Sequence, residues 1–276
     1  MNIKTLNKSP PMKIIANNDI LMRYVPNSIK PVSGETSLFD KISAHLQQAE
    51  DWILTTFMPE GTFNKIASYS EITPLKHHLC QVIVAEALCR AIPSLDLVLT
   101  PNGFGVVSTQ TVAAASKQRV DRLIGSMRDV RDEAIQQMLV LLPEAHAWIT
   151  SPFAEFFGAT LFPNLDLVTL YGVNSSRWEK YLELRSSVIS IEESLAEEFF
   201  SPELMASLRL ELLKNEISPF RGCVIKAIRA EIVEVLKSST INGTRMRDIV
   251  NFIRNNSSFF QEWHNSATAK LFSPPK

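Results

Sequence analysis

Apolar residues recur at steps of three and four along much of this chain, which is the pattern of amphipathic helices. The first stripe follows the sequence SGET, where Thr36 or Ser37 offers a cap for a helix N-terminus. Its members are Phe39, Ile42, Leu46, Ala49 and Ile53. Polar and charged residues fill the opposite face of the same segment. The pattern therefore predicts a helix with one buried side.

Two further helices are predicted before the middle of the chain. One covers about 74–91 and ends near Pro93, because proline cannot continue a helix. Its predicted buried side contains Leu79, Val82, Ile83 and Leu88. The next runs from about Ser116 to Pro143, and its apolar face continues through Ala134, Ile135, Met138 and Leu142.

The second half of the chain repeats this order. Asp19-Ile20-Leu21-x-x-Tyr24 has a counterpart in Asp166-Leu167-Val168-x-x-Tyr171, 147 residues later. Glu50-Asp51 matches Glu192-Glu193 at a shift of 142, and Ala85-Glu86 matches Ala230-Glu231 at a shift of 145. The first stripe recurs, also at a shift of 142, as Tyr181, Leu184, Val188, Ile191 and Leu195.

Two interpretations of this repeat are open. One is an internal duplication of a three-helix unit, and the other is the agreement that any two amphipathic helices show because they share a period. The predicted fold class is mainly α, with two similar helical-bundle units and a β-hairpin inserted in the first. The predicted units are 1–145 and 146–276.

The hairpin prediction rests on LDLVLTPNGFGVVS, residues 95–108. Two short apolar runs flank an Asn-Gly turn, which is a strong hairpin signal. The glycines lead into Val106-Val107 without the lysine or glycine spacing of a phosphate loop, so we do not expect a nucleotide site here.

A two-stranded hairpin is marginally stable in water, so its apolar residues need a packing partner. That partner is either the helices of its own unit or a neighbouring subunit. In the second case the hairpin is an arm. The candidate protein-contact residues are Thr100, Pro101, Asn102, Gly103, Phe104, Gly105, Val106 and Val107.

Composition narrows the function further. The chain has 276 residues, with 28 Lys and Arg against 29 Asp and Glu, which gives no overall attraction to nucleic acid or anionic lipid. The N-terminus has no signal-peptide pattern, and no apolar run is long enough to cross a bilayer. We expect a soluble intracellular protein without membrane or specific nucleic-acid partners. The three cysteines (Cys80, Cys89 and Cys223) lie in apolar helical segments and are predicted to be buried reduced thiols.

The sequence contains no recognisable catalytic or metal pattern. His77, His78 and Cys80 lie close together, but no second ligand pair at zinc spacing accompanies them. No GxSxG elbow occurs, and the acidic pairs, including Glu50-Asp51 and Glu192-Glu193, are interpreted as solvated charge. We predict no catalytic residue, no metal, no cofactor and no small-molecule substrate.

Two other segments have alternative interpretations. An acidic run, 192–203, precedes a basic stretch that extends to Arg229, which is either a seam between helices or subunits or two solvated faces. The C-terminal aromatic residues either pack on the second unit or form a peptide that binds a partner. They are Phe259, Phe260, Trp263 and Phe272.

Two segments, SLFDKISAHLQQAEDWI and LDLVLTPNGFGVVSTQTVAAASKQRVDRLI, together resemble a little-characterised family from prophages of gut bacteria. In that family a "TPxGFGVV…ASxxRVxRL" segment links two helices. The resemblance covers roughly residues 12–145. The family is in turn similar to head–tail connector (adaptor) proteins of tailed phages, in which helical bundles pack side by side into a ring beneath the portal. This chain is about twice the usual connector size.

The resemblance implies a structural role in a phage or prophage virion, as a head–tail connector or head-completion subunit. The implied partners are further copies of the chain in a homo-oligomeric ring and a portal or neighbouring head or tail protein. The protein would be cytoplasmic during assembly and then part of the virion. The alternatives are a non-catalytic host protein-binding or scaffolding module, and an enzyme with an unrecognised site.

Overall fold

The computed structural model describes residues 13–26, 29, 36–95, 97–100, 103–106, 116–145 and 147–272, with the strand residues described by their backbone alone. The described part is mainly helical, as the apolar periodicity predicts. The chain divides into two compact units, 1–141 with 145–148, and 142–144 with 149–276. The chain therefore passes from unit 1 to unit 2 within residues 141–149.

Five helices and two strands form the described part of unit 1. They are α1 (Asn18–Met22), α2 (Leu38–Thr56), α3 (Glu60–Ala67), α4 (Pro74–Ala91), β1 (Leu97–Thr100), β2 (Gly103–Val106) and α5 (Lys117–Leu141). Helix α4 packs mainly against α5 and α2. The predicted buried residues of the three long helices form this core, and only Phe39 of the first stripe is half-buried. The three predicted helices are confirmed, although Pro93 lies inside a 3-10 turn, Ile92–Ser94, that prolongs the second one.

The segment between α4 and α5 contains the two strands. Strands β1 and β2 pair antiparallel, with Leu97 opposite Val106 and Leu99 opposite Phe104. This register puts positions 97, 99, 104 and 106 on one face of the ribbon, because directly opposed residues share a face. In the sequence all four are large and apolar.

Eight helices form the described part of unit 2. They are α6 (Pro152–Gly158), α7 (Asp166–Tyr171), α8 (Arg177–Leu195), α9 (Pro202–Lys214), α10 (Pro219–Ser238), α11 (Gly243–Asn255), α12 (Gln261–His264) and α13 (Ala267–Leu271). Helix α8 passes into a π-helical turn, Ala196–Phe200, before α9 begins. Helix α10 contacts α7, α8 and α11, while α9 contacts α6 and α12.

The C-terminal aromatic segment packs on unit 2. Phe260 and Trp263 are buried, and Phe272 lies near the Trp263 ring at a centroid distance of 6.3 Å. Phe259 remains 40% exposed. The first of the two interpretations of this segment is therefore the right one.

The cysteine prediction is wrong at one position. Cys80 is buried and Cys89 half-buried, but Cys223 is exposed on α10. Its neighbours in the sequence, Val224 and Ile225, are apolar and buried, but Cys223 lies on the opposite, solvent-facing side of the helix. No helix within the described ranges is long and apolar enough to span a membrane.

Candidate functional site

A buried glutamate on α2 holds the chain segment that precedes α1. The Glu50 side chain accepts hydrogen bonds from the backbone N–H groups of Ile14, at 3.1 Å, and Ile15. Glu50 is only 3% exposed, and burial raises its pKa while the two N–H groups lower it in part. The carboxylate thus replaces the water that these backbone groups would otherwise bind.

The same contact occurs in unit 2. Glu192 on α8 is fully buried and accepts from the backbone N–H of Leu161 at 2.7 Å. It also accepts from Nε of Arg209 at 2.8 Å. Burial raises the pKa of Glu192, and the Arg209 charge opposes that rise. The partners Ile14 and Leu161 are 147 residues apart, which is the shift found for the segments that follow them.

A second buried glutamate in each unit pairs with an arginine on the next long helix. In unit 1, Glu86 on α4 accepts from Arg131 on α5 at 3.0 Å and from Arg90 at 2.7 Å. In unit 2, Glu231 on α10 accepts from Arg245 on α11 at 2.9 Å and from the N–H of Asn242. These pairs compensate charges that would be costly to bury alone.

A tryptophan in each unit forms a third matching contact. The Trp148 indole N–H donates to the carbonyl of Phe57 at 2.7 Å, just after α2. The Trp263 indole N–H donates to the carbonyl of Phe199 at 2.8 Å, just after α8. Phe57 and Phe199 are 142 residues apart, the shift of the preceding stripes. Each indole therefore holds the chain at the residue just after α2 or α8, and we call these two hydrogen bonds the indole pins.

These polar groups join elements within a unit. Burial raises the pKa of the Cys80 and Cys89 thiols to about 11, so both are protonated and weakly nucleophilic near neutral pH. Within the described ranges no group of three His, Cys, Asp or Glu residues is placed to hold a metal ion. The clustered His77 and His78 instead contact Tyr24 and Gln81.

The units differ beside the first turns of α4 and α10, next to Tyr24 in unit 1 and to α7 in unit 2. In unit 1, the Tyr24 ring lies 5.4 Å from the His77 ring, and its hydroxyl donates to the Cys80 sulfur. Burial is the main cause that raises the pKa of Tyr24. The aromatic ring therefore covers one side of α4.

In unit 2 the corresponding region is an open groove of about 470 Å³ between α7, the end of α9 and α10. Its lining is mainly apolar, and one end holds the Asp166–Arg229 pair, 3.3 Å apart. The lining includes Leu170, Ile217, Gly222, Ile225 and Lys226. Leu170 is 51% exposed at its edge.

The predicted protein-contact residues fall partly on the strand pair. Thr100 ends β1, and Gly103, Phe104, Gly105 and Val106 make up β2. Pro101, Asn102 and Val107 lie outside the described residues.

Sequence reasoning missed the buried acids. The pairs are solvated at one member each, Asp51 and Glu193, as predicted, whereas Glu50 and Glu192 are buried. Arg209 likewise joins the basic stretch to the acidic run through a pair with Glu192 inside unit 2. The available signal was the recurrence of a glutamate beside the apolar stripe in both halves.

One comparison with known proteins gives a match. Residues 29–157 match the model of a family of unknown function, DUF6712, which is somewhat less than half of the chain. No curated protein and no solved structure matches the chain.

Proposed function

We propose that this protein is a non-catalytic structural subunit of a phage or prophage virion, a head–tail connector or head-completion protein, and that its two units arose by duplication. The observation that carries the assembly role is the strand pair between α4 and α5 of unit 1, whose sequence is apolar. An insertion of this kind offers an apolar surface for another subunit.

Three matched contacts support the duplication. Each unit has a long helix whose buried glutamate accepts from the backbone before a short helix, a second glutamate paired with an arginine, and an indole pin. A shared amphipathic period accounts for matching apolar stripes but not for matching polar partners. Helix caps agree too, since Thr73-Pro74 and Ser218-Pro219 begin α4 and α10 in the same way.

The composition of the inserted segment supports an arm. Residues 97–116 contain no charged side chain. The loop between α10 and α11, at the corresponding place in unit 2, is only 239–242. An uncharged ribbon present in one unit alone is suited to contact a neighbour, because its apolar face gains stability when it is covered.

The virion assignment rests on the resemblance of the TPNGFGVV and ASKQRVDRL segments to the prophage family. The test is quantitative mass spectrometry of purified particles after induction of the resident prophage. We expect the chain at a small fixed ratio to the capsid protein, as in a ring. A chain that is abundant in the cell and absent from particles would contradict the virion role and favour a host binding module.

Charged substitutions in the strand pair test whether it is the contact between subunits. Replacing both Phe104 and Val107 with aspartate should abolish assembly and leave the helical circular dichroism unchanged, because a buried apolar contact cannot accept two carboxylates. The matched control is Val130→Asp, a similar change at a residue of α5 that is 40% exposed. If the double variant assembles as the wild type does, the strand pair is not the contact.

A further inference from the structure

Unit 1 provides an internal template for the groove of unit 2. At the shift of 145 that relates α4 to α10, His77 corresponds to Gly222 and Cys80 to Ile225. Both Gly222 and Ile225 line the groove, whereas His77 and Cys80 are the residues that Tyr24 contacts. The groove is thus the place that an aromatic ring fills in unit 1.

The tyrosine of unit 2 lies elsewhere because its helix ends later. Helix α1 ends at Met22, before Tyr24, whereas α7 ends at Tyr171 itself. Gly172 follows it with a φ of 96°, a left-handed conformation suited to glycine. The Tyr171 ring lies 5.6 Å from Nζ of both Lys180 and Lys237. The space beside Gly222 is left open.

We propose that this groove receives the strand-pair arm of a second copy of the chain, with Phe104 as the aromatic residue that enters beside Gly222. This inference rests on the assembly role proposed above and names its contact. Phe104 is the one aromatic residue between 95 and 116, and the groove takes the place of an aromatic contact in unit 1.

Charge agrees with this occupant. The arm is uncharged from 97 to 116, which fits an apolar lining, and the residue that precedes it in the sequence is the acid Asp96. Lys226 is an exposed cation of the groove lining and has the sign opposite to Asp96. A Cβ at Gly222 would lie 3.4 Å from the Ile217 side chain, which is ordinary van der Waals contact, so glycine leaves the most room here.

The pairing can be tested by cysteine cross-linking of two full-length chains with different tags. One carries Phe104→Cys and the other Lys226→Cys, both with Cys223→Ser to remove the exposed native thiol. We expect a mixed disulfide dimer under mild oxidation. The matched control replaces Lys226→Cys with Glu234→Cys, which is also exposed on α10 but does not line the groove. Equal yields from both positions would overturn the proposal.

Filling the groove is the second test. Gly222→Trp should occupy it and weaken assembly at least tenfold, measured as the concentration of half-assembly by light scattering. Cys223→Trp adds the same side chain at the adjacent exposed position and should assemble as the wild type does. Unchanged far-ultraviolet circular dichroism shows that both variants fold.

The outcomes separate the two proposals. A wild-type chain that assembles, together with a Gly222→Trp chain that assembles equally well, overturns the groove contact and leaves the assembly role intact. A wild-type chain that stays monomeric, together with cysteine variants that form no mixed disulfide, overturns both. A chain that carries both Phe104→Cys and Lys226→Cys and forms the disulfide only within itself, so that it stays a monomer on a non-reducing gel, overturns the contact between copies.

Discussion

At the scale of single residues, the buried glutamates show how each unit holds the chain that enters it. Glu50 is bound mainly by backbone N–H groups, whereas Glu192 also has the Arg209 guanidinium. A carboxyl whose pKa is higher in the folded than in the unfolded chain binds more protons when folded. Its contribution to stability therefore decreases as pH rises from the usual pKa of glutamate to the raised value.

This dependence of stability on pH gives a prediction for Glu50→Gln. Glutamine keeps an oxygen to accept from Ile14 but carries no charge to desolvate. The free energy of unfolding of the variant, relative to the wild type, should therefore increase with pH from about 4 and level off above the raised pKa. Urea unfolding at a series of pH values measures it. Asp51→Asn, the exposed neighbour, is the control for loss of one charge, and parallel curves for Glu50→Gln and wild type would contradict the prediction.

The indole pins give a second prediction. Trp148→Phe and Trp263→Phe each leave a carbonyl, of Phe57 or Phe199, without its indole donor. Each change should lower the free energy of unfolding by about 0.5–1.5 kcal/mol, the net contribution of a typical hydrogen bond. Denaturant unfolding followed by circular dichroism measures both. A large loss for one variant and none for the other would show that the two pins are not equivalent.

At the scale of elements, the sequence predicted the long helices because their apolar residues repeat with the helical period. The bounds of α4 agree with the prediction of 74–91. The buried polar contacts were not predictable in this way, because the partner of Glu50 is a backbone group 36 residues away. The groove was not predictable either, since it depends on whether a short helix ends before or after its tyrosine.

The caps of α4 and α10 allow a test of equivalence between elements. The Thr73 hydroxyl accepts from the Lys76 N–H at 3.2 Å, and the Ser218 hydroxyl accepts from the Arg221 N–H at 3.4 Å. Thr73→Ala and Ser218→Ala should each cost about 0.5–2 kcal/mol in denaturant unfolding. Ser43→Ala, on the exposed face of α2, should change stability by less than about 0.5 kcal/mol. A cost at one cap only would contradict their equivalence.

At the scale of the whole molecule, an arm on unit 1 that enters a groove on unit 2 of another copy is a heterologous contact. Such a contact uses two different surfaces, so every chain added to an assembly offers a free arm and a free groove. Growth stops only when the last arm meets the first groove, which makes a ring. An isologous dimer, by contrast, would exchange two equal contacts and stop at two chains.

Mixing two defective chains distinguishes these cases. A chain with Phe104→Asp keeps its groove and loses its arm, whereas Gly222→Trp keeps the arm and loses the groove. Each alone should remain a monomer of 31.0 kDa in native mass spectrometry. Their equimolar mixture should form a heterodimer and nothing larger, because it contains one intact arm facing one intact groove. If the mixture instead restores the full wild-type oligomer, the arm and groove do not form a head-to-tail contact, since a single intact pairing cannot continue beyond two chains.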